Sequence, residues 1–243
     1  MEKSIFGIFP ALTTPFVDGD LSLSGLKSNI EKFNKTGLSG YLILGSTGEV
    51  VLMNETERLK AIETVRSSAG EGMIVIAGTG AQSTRGTIDF TNQAARAGAH
   101  YALVVTPFYY KAQMTAQALE AYYRDVADKS KMPLILYNVP KFTGIDLPVE
   151  SIVALADHPN IAGLKESSAN ITFLSEILKS VPKGFVVLQG SGSVLFPSLA
   201  LGAMGGILAL SNMAPKETVE IYRLAQEGEW KRAREIQMQI LPV

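Results

Sequence analysis

Short apolar runs recur along the chain, each followed by a polar or glycine-rich turn and then by a longer segment with helical spacing. The runs are hydrophobic throughout rather than alternating, which marks strands covered on both faces. They fall at 7–11, 41–44, 73–77, 101–105, 133–137, 161–165, 185–188 and 206–210. Between them the spacing predicts a helix over 24–34 that stops at Gly37, a glycine suited to a C-terminal cap. Asn54 caps a second helix with Leu59, Ile62 and Val65 on one face. A third begins near Ser83 and Thr84 and closes at Gly98, and a last barrel helix covers 215–226. An amphipathic segment follows at 230–241, with Trp230, Ala233, Ile236 and Ile240 near one face; that stripe has to dock on the barrel or on another subunit.

Repeated strand–helix units predict an α/β fold with a parallel sheet under helices, and eight of them at 243 residues predict a closed (β/α)8 TIM barrel. Residues 1–227 read as the catalytic barrel and 228–243 as the start of a short C-terminal helical extension. The competing architecture is an open doubly wound sheet that binds a nucleotide. Gly78-Thr79-Gly80 does follow a strand, but Ser83 stands where a dinucleotide fingerprint needs its third small residue, and there is no phosphate loop of the GxxxxGK type.

Composition narrows the function. Charged residues are 19% of the chain and the net charge is -1, without the basic footprint of a nucleic-acid binder. Cysteine is absent, which excludes disulfides and thiolate metal sites. Two histidines, His100 and His158, are too few for the cluster of a zinc hydrolase or metal-dependent aldolase, so no metal and no cofactor is expected. Residues 1–16, interrupted by Pro10 and Pro15, do not resemble a signal peptide. The uncharged stretch 184–215 is cut into short pieces by Gln189 to Ser193 and Pro197, as a buried strand–helix–strand unit is, rather than a membrane span. The expectation is a soluble cytoplasmic protein.

Candidate chemistry centres on Lys165, where the apolar run Ile161-Ala162-Gly163-Leu164 ends. Burial disfavours an ammonium ion and lowers its pKa from about 10.4, and a neutral amine attacks the carbonyl of a keto acid. The resulting protonated imine is an electron sink that lets a neighbouring C–C or C–H bond break. The other strand ends supply mostly neutral hydroxyl groups: Thr13 and Thr14, Ser46 and Thr47, Thr79, Tyr109 and Tyr110, Tyr137, and Ser191. Tyr137, one strand from Lys165, is the best-placed proton shuttle, with Ser46 and a second tyrosine relaying to solvent. Backbone N–H groups of Ser46-Thr47-Gly48, opening toward a helix, would hold a carboxylate.

Five motifs in order add a family. They are Pro10-Ala11-Leu12-Thr13-Thr14-Pro15-Phe16, Gly45-Ser46-Thr47-Gly48-Glu49, Thr106-Pro107-Phe108-Tyr109-Tyr110, Tyr137-Asn138-Val139-Pro140 and Gly163-Leu164-Lys165-Glu166. The chain resembles the dihydrodipicolinate synthase / N-acetylneuraminate lyase family of pyruvate-dependent class I aldolases. The resemblance implies Lys165 as the Schiff-base lysine, Tyr137 as the acid–base tyrosine, Ser46 in the proton relay, and Tyr109 inserted into a neighbouring subunit's site. It implies Thr47 at the pyruvate carboxylate and Gly190 in the pyruvate pocket, with Gly48, Phe142 and Leu208 as further substrate-binding positions. It also implies a homo-oligomer, a dimer or tetramer.

Where dihydrodipicolinate synthases place an arginine for the aldehyde's carboxylate, this chain has Phe142, which cannot pair with one. Where sialate lyases place acidic residues after the pocket glycine, it has Gly192 and Ser193. The stretches 144–149, 158–161 and 200–206 look most like the 4-hydroxy-2-oxoglutarate aldolase branch. Val243 falls where the family continues into further helices, and the barrel is expected to be complete without them. The reading is therefore a Schiff-base aldolase that joins or parts pyruvate and an aldehyde, with 4-hydroxy-2-oxoglutarate first. Dihydrodipicolinate synthesis or another 2-keto-3-deoxy acid aldolase or dehydratase comes next. A non-enzymatic keto-acid-binding barrel and a nucleotide-binding enzyme are the readings from other classes.

Overall fold

The computed structural model describes residues 5–241. Among them, eight parallel strands form one sheet: β1 (Gly7–Pro10), β2 (Gly40–Ile43), β3 (Ile74–Gly78), β4 (Tyr101–Val105), β5 (Leu134–Asn138), β6 (Ile161–Glu166), β7 (Val186–Gln189) and β8 (Gly205–Leu208). Each pairs with its neighbours in sequence, and β8 returns to pair with β1. Between β1 and β2 the ring closes through the Ala11–Leu42 bridge, and the Leu12 N–H donates to the Leu42 carbonyl at 2.9 Å. A helix follows every strand: α1 (Leu23–Phe33), α2 (Glu55–Ser68), α3 (Thr84–Arg96), α4 (Ala116–Lys129), α5 (Val149–Ala156), α6 (Ile171–Ser180), α7 (Leu195–Ala200) and α8 (Pro215–Gln226). The fold is a (β/α)8 barrel.

Alternation along each strand explains why the runs are apolar throughout. Phe9, Leu42, Ile76, Leu103, Ile135, Leu188 and Ile207 fill the barrel interior. Their neighbours Tyr41, Ile43, Val75, Val104, Leu136 and Val187 pack outward against Leu26, Ile30, Ile62 and Val65 of the helices. Asn54 caps α2 as its spacing predicts, in a reciprocal capping box with Glu57 at 3.0 and 2.8 Å.

Some boundaries differ from expectation. β6 continues one residue past Lys165 to Glu166, and β8 stops at Leu208 before a 3-10 turn over Leu210–Asn212. A small antiparallel hairpin, Phe16–Val17 with Asp20–Leu21, sits between β1 and α1; no apolar run announces it. The amphipathic segment forms α9 (Trp230–Ile240) and docks on its own barrel. Ala233, Gln237 and Ile240 are buried, while Trp230 stays 46% exposed and packs its ring 6.4 Å from that of Phe196. Gln237 was not in the expected stripe, yet it clamps the helix: its oxygen accepts from the Phe196 N–H at 2.9 Å and its amide donates to the Gly192 carbonyl at 3.0 Å. Among the described residues no helix is long and apolar enough to cross a membrane.

Candidate active site

The register of β5 against β6 sets Tyr137 opposite Lys165 and Asn138 opposite Glu166. Alternation then sends the first pair into the barrel and the second outward. Lys165 is only 4% exposed, and its Nζ lies 4.5 Å from the centroid of the Tyr137 ring. Burial pushes the Lys165 amine below the ordinary lysine range, while the charge and hydrogen bonding of the Tyr137 phenol pull the other way. The pair is chemically apt: an amine biased toward its neutral form beside a group that can donate and accept a proton.

The outward pair ties the strand ends together. Glu166 Oε1 accepts from the Ser168 N–H at 2.7 Å and from Asn138 Nδ2 at 3.2 Å, and Asn138 Oδ1 accepts from the Leu147 N–H at 3.0 Å. Glu166 Oε2 is buried without a partner. Burial pushes this carboxyl's pKa up, against the pull of its Ser168 and Asn138 hydrogen bonds. Beside it, the Gly190 N–H donates to the Glu166 carbonyl at 2.6 Å. A Cβ on Gly190 would overlap the Ser167 hydroxyl, so close packing requires glycine there.

Ser46 is aimed by a strained turn. Leu44, buried at the end of β2, has φ 63°, an unfavourable conformation for a bulky residue. Its carbonyl occupies the space a Cβ on Gly78 would take, and Gly80 abuts the Val105 N–H in the same way. Gly78 at the end of β3 and Gly80 just past it therefore serve close backbone packing. Ser46–Gly48 then form a 3-10 turn, whose Gly48 N–H donates to the Gly45 carbonyl at 3.0 Å. The Gly48 carbonyl accepts from the Thr14 hydroxyl at 2.6 Å. Of the three N–H groups expected to cradle a carboxylate, that of Gly48 is spent inside the turn, and the α2 N-terminus is closed by Asn54 and Glu57.

Ser46, Tyr137 and Phe142 come together in a cavity of about 370 Å³ at the C-terminal ends of β2 to β5. Lys165 abuts it through Tyr137 but is not one of its lining residues. Thr47 faces a second cavity of about 400 Å³, with Thr13, Ser191, Ser193 and Asn212. Tyr109 is 74% exposed and lines neither cavity; its ring packs edge-on to Tyr110 at 5.0 Å. Leu208 is a correction: it is fully buried in the layer between strands and helices and lines neither cavity, because the pleat turns Ile207 inward in its place. Thr79 likewise points away from the rim and bonds Thr91 on α3 at 2.8 Å.

Several neighbours of the site escaped the sequence reading. Gln82 accepts from the Phe108 and Tyr109 N–H groups at 2.9 Å each and so holds that loop. Asn212 ties the β8 turn to β1 through the Ala11 carbonyl at 2.7 Å. Val50, Val51 and Phe108 line the first cavity. Their only sequence signal is closeness to the Ser46 and Tyr109 motifs.

The sequence matches the Dihydrodipicolinate synthetase family over residues 4–243. A 4-hydroxy-tetrahydrodipicolinate synthase of Methanothrix thermoacetophila is 38% identical over 239 residues, covering 98% of this chain and 80% of the relative. YagE, a prophage protein of E. coli K12 from the dihydrodipicolinic acid synthase family, solved in complex with pyruvate, superposes with a TM-score of 0.92. It is 32% identical over 97% of this chain and 80% of its own. A monomeric dihydrodipicolinate synthase variant superposes with a TM-score of 0.94 at 29% identity, over 99% of this chain and 81% of its own. With the barrel, the family match and relatives that span nearly the whole chain in agreement, this protein belongs to the dihydrodipicolinate synthetase family and is a lyase of the class I, pyruvate-dependent aldolase type.

Proposed function

We propose that the protein makes or breaks a C–C bond between pyruvate and an aldehyde through an imine on Lys165. The observation that carries this is the buried Lys165 amine held against the Tyr137 ring. The neutral amine adds to the keto carbon of pyruvate and water leaves, giving a protonated imine. Loss of a proton from the methyl carbon gives the enamine, whose electron pair attacks the aldehyde carbonyl. Water then releases the product and restores the lysine; cleavage runs the same steps backward. Tyr137 carries the proton between carbinolamine oxygen and solvent, with Ser46 on the same cavity as its relay. Thr47, adjacent in the same turn, takes the pyruvate carboxylate, and Gly190, packed against Ser167, backs the pocket. Tyr109, exposed on its own chain, completes the relay of a second copy in a homo-oligomer.

For the acceptor, Phe142 stands on the cavity wall and supplies no charge to a remote carboxylate. This favours cleavage of 4-hydroxy-2-oxoglutarate, whose second carboxylate lies beside the reacting carbons. The second reading, condensation of pyruvate with aspartate semialdehyde, is favoured by the name of the Methanothrix relative. Pyruvate with borohydride is expected to leave a reduced adduct on Lys165, read by mass spectrometry of the digested protein. An adduct on another residue, or none in the folded protein, would sink the mechanism. Rates with the two substrates then rank the readings.

A further inference from the structure

We infer that the cavity beside Tyr137 is a subsite for an apolar tail on the acceptor aldehyde, an inference that rests on the imine chemistry proposed above. At about 370 Å³ the cavity lies within the roughly 300–1,000 Å³ range of small-molecule sites and is larger than the reacting carbons need. Its walls are Val50, Val51, Val105, Phe108, Val139 and Phe142, and none of its lining residues is charged. The polar groups that do reach it divide into two sets. Ser46 and Tyr137 stand at the chemical end. Of the other two, the Thr143 hydroxyl lies 3.2 Å from the Val139 carbonyl and 3.0 Å from that of Ile145, while Gln82 Oε1 accepts from Phe108 and Tyr109 and leaves an uncharged amide N–H2 as the remaining donor.

The cations beside the cavity walls do not line it: Lys165 is taken up as the imine, and Arg58 donates to the Val50 carbonyl at 2.8 Å. Lys141 holds its Nζ 5.7 Å from the centroid of the Phe142 ring, and Lys111 crowds Gly144; neither lines the cavity. A carboxylate carried into the cavity would lose water without gaining a cationic partner, whereas an alkyl or aryl tail would gain contact with the walls. An acceptor as short as the one released from 4-hydroxy-2-oxoglutarate leaves the subsite empty, so both activities fit one enzyme. Phe142 then does more than lack a charge: it forms the wall that selects the tail.

The test measures kcat/KM for condensation with pyruvate across acetaldehyde, butanal, hexanal and benzaldehyde, with succinic semialdehyde as the anionic counterpart of butanal. The expected result is a rise of roughly threefold per added methylene and a preference for butanal over succinic semialdehyde of about tenfold or more. Phe142→Arg, at a position 60% exposed and so tolerant of the change, is expected to reverse that preference. A flat or falling series, or succinic semialdehyde equalling butanal, overturns the subsite. Borohydride trapping with pyruvate alone, on the same preparation, separates the failures. An adduct with a flat series removes the subsite and leaves the imine standing, and no adduct removes both.

Discussion

Lys165 and Glu166 are consecutive and both buried, and burial acts on each by disfavouring its charge. For the lysine the neutral form is a nucleophile; for the glutamate it is a hydrogen-bond donor at an oxygen that otherwise lacks a partner. As pH falls through the depressed Lys165 pKa the amine protonates, and kcat/KM is expected to fall with it. Tyr137→Phe, which keeps the ring and removes the phenolic proton, is expected to cost turnover on the order of 10²–10⁴. Near-normal turnover would remove Tyr137 from its role. Glu166 has the opposite linkage sign to an ion-paired carboxylate. Between the ordinary value of about 4.3 and its raised folded value, the folded state keeps a proton that the unfolded chain has lost. Stability from this group is thus full below the ordinary value and drains away as pH rises through the raised one. Glu166→Gln is expected to flatten that loss in urea unfolding measured between pH 4 and 8; parallel curves for mutant and parent would show that the carboxyl does not titrate in the window.

At the scale of elements, the strand ends rather than the strands carry the site, and each end is shaped by its neighbours. The left-handed Leu44 turn exists because Gly78 leaves space for its carbonyl. Gly78→Ala would press a Cβ onto backbone that has no free rotamer to escape, and is expected to cost about 1–3 kcal/mol. Urea denaturation reads this as a lower midpoint at constant slope, and displacement of the Ser46 turn should lower kcat as well. An unchanged midpoint would mean the turn yields freely. The Asn54 cap of α2 was legible in the sequence, and the structure adds Glu57, three residues on, as the second half of a capping box. The continuation of β6 to Glu166 was not, because a charged residue enters a strand only where neighbours such as Asn138 and Ser168 receive it.

On the scale of the whole molecule, α9 buries Ala233, Gln237 and Ile240 on its own barrel and leaves Trp230 and Met238 exposed. Leu52, Tyr109 and Tyr110 are exposed in the segments that carry the cavity-lining Val51 and Phe108. Apolar groups gathered this way usually mark a contact surface. We propose that a second copy covers them and brings its Tyr109 to the proton relay. Sedimentation at micromolar protein is expected to show a dimer or larger species, with specific activity falling on dilution as it dissociates. A fully active monomer would restrict Tyr109 to its own chain, an outcome for which the monomeric synthase variant is a structural precedent.

The barrel itself was legible in the sequence because its cause is local and repeated: continuous apolar runs mean two covered faces, and eight of them at this length close a ring. That Lys165 and Tyr137 stand on adjacent strand ends was legible too, since each ends an apolar run and the runs are consecutive. Which faces those ends present was decided only in three dimensions. Period-two alternation turned Leu208 away while Ile207 entered the barrel, and a one-residue difference in where a strand ends reverses such an assignment. The division of Ser46 and Thr47 between two cavities, the internal use of the Gly48 N–H, and the apolar wall ending in Phe142 depend on contacts between distant segments. The chain order carries no spacing rule for such contacts, so tertiary packing alone determined them.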